Sequence, residues 1–293
     1  MATPKIPDEL KKDMPQTPWG KMLVATPVVM TVIATLLAGL ASSEMTRAQY
    51  DRAYGAQLQS KAGDQWSYFQ AKKLRGAMQR NSIELLQATA DVKPLPSTAL
   101  GNVPPAVAEA LEKGTLPAAA KGDVDAEIKT ALETMEHSRP EPEIAEKLKL
   151  VNPASLASAL QTARDTAGAF DVATDPIVKG IDQSQKSFQA DKVLSLGFAV
   201  ARMRFNANRY DVEARMNQHI ASLLELQVRQ ANMSAERHHK RSGRFFLGML
   251  SAQAAVIVST FAMAARQRNL LWTLAAIAGV AAVIFAIYVY VKV

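Results

Sequence analysis

The chain contains no cysteine, so disulfides, thiolate metal sites and cysteine nucleophiles are excluded, although this absence assigns no compartment. There are only four histidines, His137, His219, His238 and His239. The adjacent pair cannot turn both rings toward one ion from neighbouring helical positions, so it reads as a basic patch and not a metal site. No Walker loop, no GxGxxG after a strand, no GxSxG and no HExxH occurs. Neither catalytic residues, a cofactor, a metal nor a small-molecule substrate is expected, and the chain reads as a non-enzyme.

Two further absences organise the rest. Charge is missing from Met22–Ser43, Phe245–Ala265 and Leu270–Val291, runs of 22, 21 and 22 residues. About 20 apolar residues in a helix rise far enough to cross a hydrocarbon layer, so each is expected to span a membrane. Lys21, Arg244, Arg266, Arg268 and Lys292 bound the runs, and Trp272, Tyr288 and Tyr290 lie near the ends of the third, where amphipathic rings favour headgroup level. Gly39-Leu40-Ala41 resembles a signal cleavage site, but the run is too long for a signal core, and the segment is expected to stay as an anchor. The second and third spans should form a tight hairpin. Small residues one turn apart (Gly248, Ala252; Ser251, Ala255; Ala275, Gly279) would let helices approach closely. Without an intramembrane charge, a coupled ion transporter is disfavoured. Gln253, the one strongly polar side chain well inside a span, is read as part of a helix–helix hydrogen bond.

Lysine and arginine of short loops set orientation. Lys5, Lys11, Lys12, Lys21, Arg266 and Arg268 stand against Lys292, six against one. This count places the N-terminus in the cytoplasm and residues 44–243 outside it, while the cluster Arg237 to Arg241 with Arg244 pulls the other way. The residues His238, His239, Lys240, Arg241, Arg244, Arg266 and Arg268 are expected to meet anionic lipid headgroups. The excess of 34 Lys+Arg over 27 Asp+Glu therefore points to lipid and not to nucleic acid.

Proline is absent between Pro27 and Pro94 and after Pro176, and nine of its 14 occurrences lie from Pro94 to Pro176. Because proline breaks helix interiors, this pattern predicts a long helix, a broken insert and a second long helix. The first should continue from the membrane to about Ala90, and the second should run from about Ile177 into the second span, with a bend at Ser242-Gly243. On the second, Leu194, Phe198, Ala201, Phe205, Arg209, Val212, Met216, Ile220 and Leu223 repeat every 11 residues, and Leu226 continues the apolar face after a shift. Eleven residues in three turns keep such a stripe on one side of a helix with a slight right-handed drift. Tyr54, Leu58, Ala62, Trp66, Phe69, Leu74, Met78 and Leu85 offer a partner face on the first helix. An antiparallel stalk extending about 90 Å is expected, or pairing with neighbouring copies. Within the insert, Asp123 is expected to cap a helix over Val124–His137, and Asn152-Pro153 to open one reaching about Phe170. Lys93–Pro105 reads as loop, and the insert as a small helical head at the far end of the stalk.

Asp64-Gln65-Trp66-Ser67-Tyr68-Phe69-Gln70-Ala71-Lys72 packs three aromatics into four residues. Stalk packing explains it, or an interaction surface formed by Asp64, Gln65, Trp66, Tyr68, Phe69 and Lys72. This segment, the Pro7-Asp8-Glu9-Leu10 stretch, the first span with its Ser-containing exit and the closing hydrophobic pair resemble an uncharacterised bacterial membrane-protein family catalogued as a domain of unknown function, number 4337. The resemblance covers roughly the first 90 and last 120 residues, with the Pro-rich insert as a departure. It implies a bacterial inner-membrane location and no activity, cofactor or catalytic residue.

The expected fold is an all-α integral membrane protein with three transmembrane helices, a long antiparallel coiled-coil-like stalk and a small head. Its expected order is a tail 1–21, a span 22–43, a stalk helix 44–91, an insert 92–176, a second stalk helix 177–243, and spans 245–265 and 270–291. The expected role is a scaffold that self-associates or joins a larger membrane complex. A subunit of an oligomeric channel or transport complex is the alternative, followed by a membrane sensor.

Overall fold

A computed structural model describes residues 18–118, 124–264 and 268–292. Among them are seven α-helices, two short 3-10 segments and no strand. The helices are α1 (Pro18–Thr89), α2 (Pro105–Lys113), α3 (Ala126–Glu136), α4 (Glu141–Leu148), α5 (Pro153–Ser184), α6 (Lys192–Ala264) and α7 (Arg268–Lys292). Three of them, α1, α6 and α7, are long and apolar enough to cross a membrane. Contacts divide the chain into one unit of residues 1–53 with 232–293 and another of Tyr54–Ala231.

In the first unit, hydroxyls set in apolar sequence satisfy themselves within their own helix. Thr26, Thr31 and Thr35 donate to the carbonyls of Met22, Pro27 and Thr31 at 2.8 to 2.9 Å. Pro27 lies inside α1 without ending it. Small residues bring the three helices together: Ala34, Ala41, Ala252, Ala255, Ala262, Ala275 and Ala282 are all buried. They meet at Gly248, where an added Cβ would stand 3.4 Å from Leu37, 3.8 Å from Phe285 and 3.9 Å from the Ala282 carbonyl. Of the expected small pairs, Gly248, Ala252, Ala255 and Ala275 are buried, whereas Ser251 is exposed and bonds the Leu247 carbonyl. The hairpin residues 265–267, which include Arg266, lie outside the described residues.

In the second unit, helix limits follow capping chemistry. Asn152 accepts from the Ala154 N–H at 2.8 Å, and Pro153 opens α5. Asp191 accepts from Val193 and Leu194 at 2.7 and 3.2 Å at the head of α6. The second long helix therefore begins at Lys192 and not near Ile177, because residues 177–184 belong to α5. Pro176 lies inside α5 and does not end it. The carbonyl its missing N–H leaves free is that of Val172, a residue 76% exposed, where water can take the bond. The helix expected over Val124–His137 is α3, which starts at Ala126 after Asp125; the expected cap, Asp123, lies outside the described residues. α6 runs as one helix through Ser242-Gly243.

The insert does not form a head beyond the long helices. Its short helices pack along α6 instead: Asn208 donates to the Gly114 carbonyl, Arg229 pairs with Glu141, and Gln230 donates to the Val151 carbonyl. Gly114 ends α2 in the left-handed region at φ 68°, where its N–H caps the Ala110 carbonyl and a side chain would strike Asn208. Leu100, Val107, Leu111, Ile181, Phe188, Phe198 and Phe205 form the core there, with Phe188 stacked on Phe198 at 4.9 Å. Every member of the 11-residue stripe is buried or half-buried, yet Ile220–Leu224 are buried in succession. Five consecutive buried residues leave no solvent side, so α6 is enclosed there all round.

Candidate interaction surface

Of the partner face expected on α1, Leu58 and Ala62 are buried and Trp66 and Phe69 half-buried, whereas Tyr54, Leu74, Met78 and Leu85 are exposed. In the second unit, Gly55, Ala62 and Gly76 are buried on α1, with half-buried Phe69 completing a seven-residue spacing. On α6, Val200, Ala207, Ala214, Ala221 and Val228 are buried at the same spacing. A Cβ on Gly76 would come within 3.4 Å of the Asp211 carboxylate and 3.6 Å of the Ala207 carbonyl, so helix backbones pass close together there. Within the first unit, Ala34, Ala41 and Ala48 on α1 and Ala235 and Ser242 on α6 are buried at the same spacing, and the Ser242 hydroxyl donates to the Ala41 carbonyl at 2.7 Å.

Polar contacts flank this ladder. The Trp66 indole N–H donates to Glu225 Oε1 at 2.6 Å and its ring meets Phe69 edge-on at 5.4 Å. Arg80 grips Asp211 with two bonds of 2.6 and 2.9 Å. That pair holds the Asp211 carboxyl below the usual carboxylate range. Of the aromatic segment, Gln65, Trp66, Phe69 and Lys72 thus turn inward, while Asp64 and Tyr68 are exposed. Gln65 Oε1 is buried with no hydrogen-bond partner among the described residues.

One charged cluster lies deepest. Glu213, 8% exposed, pairs with Lys72 from α1 and with Arg209 one turn away at 3.5 Å. Both cations also face the Tyr210 ring, 5.4 and 5.0 Å from its centroid. Asp171 of α5 senses the same charges: burial holds its carboxyl above the usual range, Glu213 adds to this, and Lys72 and Arg209 oppose it. The polar entry in the stripe, Arg209, is therefore one of two cations facing a buried carboxylate. Half-buried His219 is pushed below the usual imidazole value by desolvation, against the pull of Glu136. The spacing of Arg209 and Glu213, four apart, was a readable signal; the partners Lys72 and Asp171 come from distant sequence and were not.

The basic cluster divides. His238 Nδ1 meets Glu44 Oε2 at 2.5 Å, with Arg47 and Arg241 at 3.8 and 4.0 Å from the same carboxylate. His238 and Arg241 thus turn to an acidic partner on α1, whereas His239 and Lys240 are exposed and Arg244 is half-buried. Lys240 lies 3.3 Å from Glu236. Arg268 opens α7, and its side chain lies outside the description.

Two clefts remain. One of about 320 Å³ between residues of α1, α6 and the segment after α5 is lined by Gln79, Gln185, Gln189 and Asn206, with Arg202 already held by Gln185 and Asp182. The other, about 430 Å³, is a groove lined by Thr31, Ala34, Thr35, Ala38 and Gln253. The helix–helix hydrogen bond expected of Gln253 is not formed: the side chain is exposed and has no partner among the described residues. No group of three metal-capable side chains occurs among the described residues.

Comparison with curated proteins and with solved structures yields no match. A protein-family match covers residues 19–174, just over half of the chain. The matched stretch holds the first span, the aromatic segment, Lys72 and Asp171, and it runs through the insert instead of skipping it, ending before α6. The chain therefore belongs to the family described as domain of unknown function DUF4337.

Proposed function

We propose that this chain is a non-enzymatic membrane scaffold, anchored by α1, α6 and α7, whose long helices self-associate or hold a larger membrane complex together. The observation that carries the reading is the two-sided character of α1. Outside its span it packs one face along α6, yet leaves Tyr50, Tyr68, Leu74, Met78 and Leu85 exposed. Long apolar side chains left open on an ordered rod point to a protein partner more than to solvent. The cross-helix pairs support an antiparallel stalk, since Trp66, Lys72 and Arg80 ascend α1 while Glu225, Glu213 and Asp211 descend α6. Charge-free spans bounded by basic residues support a multi-pass location in a bacterial inner membrane, N-terminus inside and residues 44–243 outside. Exposed His239 and Lys240 remain candidates for anionic lipid, with Arg244, Arg266 and Arg268.

Crosslinking in native membranes followed by sizing in mild detergent tests this. A discrete oligomer or a stable complex is expected, and a strict monomer without partners ends the idea. A second reading, an accessory subunit of a channel or transport complex, draws on the groove at Gln253. Thr31, Thr35 and Gln253 would line a polar path only if several copies formed a ring. Conductance or flux in proteoliposomes, lost on Gln253→Leu, is the expected result for that reading.

A further inference from the structure

On the side of α1 away from α6 runs a second seam. Ala71, Leu74, Met78, Asn81, Leu85 and Ala88 alternate steps of three and four, and all six are exposed, with Leu74, Met78 and Leu85 at 63%, 58% and 63%. At about 100° per residue these positions stand roughly opposite Phe69, Gly76 and Ile83, so α6 cannot cover both faces. No charged residue occupies any of the six.

We infer that this seam is the contact with a second copy of the chain, α1 against α1, parallel and in register, with Asn81 facing Asn81. The carboxamide carries both donors and an acceptor, so it is complementary to itself. At a coiled-coil core position such an amide fixes register and copy number at some cost in stability, while Leu74, Met78 and Leu85 supply the apolar layers around it. Parallel order follows from the anchor: copies held in one bilayer both lead into α1 from the span at its N-terminal end. The seam covers 18 residues, about 27 Å, which is short for two free helices. Confinement to one membrane raises the effective concentration of the second copy and compensates for that length. The inference rests on the scaffold reading and names its contact.

The cysteine-free chain makes the test direct. Single cysteines are placed in the full-length protein at Leu74, Asn81 or Leu85, and at the exposed flanking positions Lys73, Glu84 or Gln87, and membranes are oxidised. Disulfide-linked dimers are expected at the first three and not at the second three. Loss of the Asn81→Cys dimer is expected when Leu74→Glu and Leu85→Glu are added, with helix content and thermal midpoint retained, because both side chains are exposed in the single chain. Equal crosslinking on both sets, or none at the seam in a chain that still sizes as an oligomer, overturns this contact and leaves the scaffold reading standing. A monomer by sizing removes both. Mixed Leu74→Cys with Leu85→Cys dimers without homotypic ones overturn the parallel order, and a seam that captures only a different protein overturns the choice of partner.

Discussion

Glu213 shows how much a single side chain can control in this molecule. Its carboxylate is nearly sealed from solvent and faces Lys72, Arg209 and the protonation equilibrium of Asp171. Glu213→Ala strands two cations in a partly buried site, a loss of about 3 kcal/mol for breaking such a pair. Chemical unfolding in detergent should show it, and a Lys72→Ala, Glu213→Ala cycle should return a coupling of roughly 1 to 3 kcal/mol. Additive single effects would mean that the two do not interact. His219 sets a pH response of defined sign. Its imidazole value lies below the unfolded one, so between the two the unfolded chain binds more protons and stability rises with pH. Acidification through about 6.5 should therefore lower the thermal midpoint, and His219→Gln should flatten that part of the curve. Asp211 acts the same way at lower pH, because Arg80 depresses its folded value: its contribution is present above about 3.8 and is lost as pH falls through the folded value. Asp171, raised by burial, opposes this, destabilising the fold as pH rises through its window.

At the scale of elements, α1 and α6 are each one continuous helix, and they come close because most residues of the seven-residue series are small, Phe69 being an exception. Ala62 is fully buried against α6, while its neighbour Lys61 faces outward. Ala62→Leu should cost about 1 to 3 kcal/mol by overpacking, with Lys61→Leu nearly neutral, measured as unfolding midpoints of the two variants. Equal effects would mean that the ladder is not tightly packed. The elements were readable to different degrees. The charge-free runs and the Asn152-Pro153 start were plain in sequence. The start of α6 was misplaced because Pro176 was weighed as a breaker and the Asp191 cap was not. Of the alanine and glycine ladder only Ala62 was read, because a hydrophobic pattern search favours large side chains, whereas close helix approach selects small ones.

For the whole molecule, the three span-length helices make the first expectation solubility in detergent only. Alkaline carbonate should leave the chain in the membrane pellet; release into the supernatant would remove the anchor on which the scaffold reading depends. An impermeant maleimide applied to intact cells should label Asp64→Cys and not Lys11→Cys, and the reverse pattern would invert the orientation. The family match supports membership and assigns no task, so the interaction site was legible only in part: the aromatic segment read as stalk packing or as an interaction surface, and Trp66, Phe69 and Lys72 turn inward while Asp64 and Tyr68 are exposed.

Local chemistry was enough to determine helix against strand, the three apolar runs and the broken insert, because hydropathy, proline and capping act through neighbours in sequence. Which side each helix presents was decided only by the fold. Lys72, Asp171 and Glu213 become one cluster, and Leu74 and Asn81 remain uncovered, through contacts between residues far apart in the chain, and a one-dimensional pattern carries no record of which faces have already found a partner.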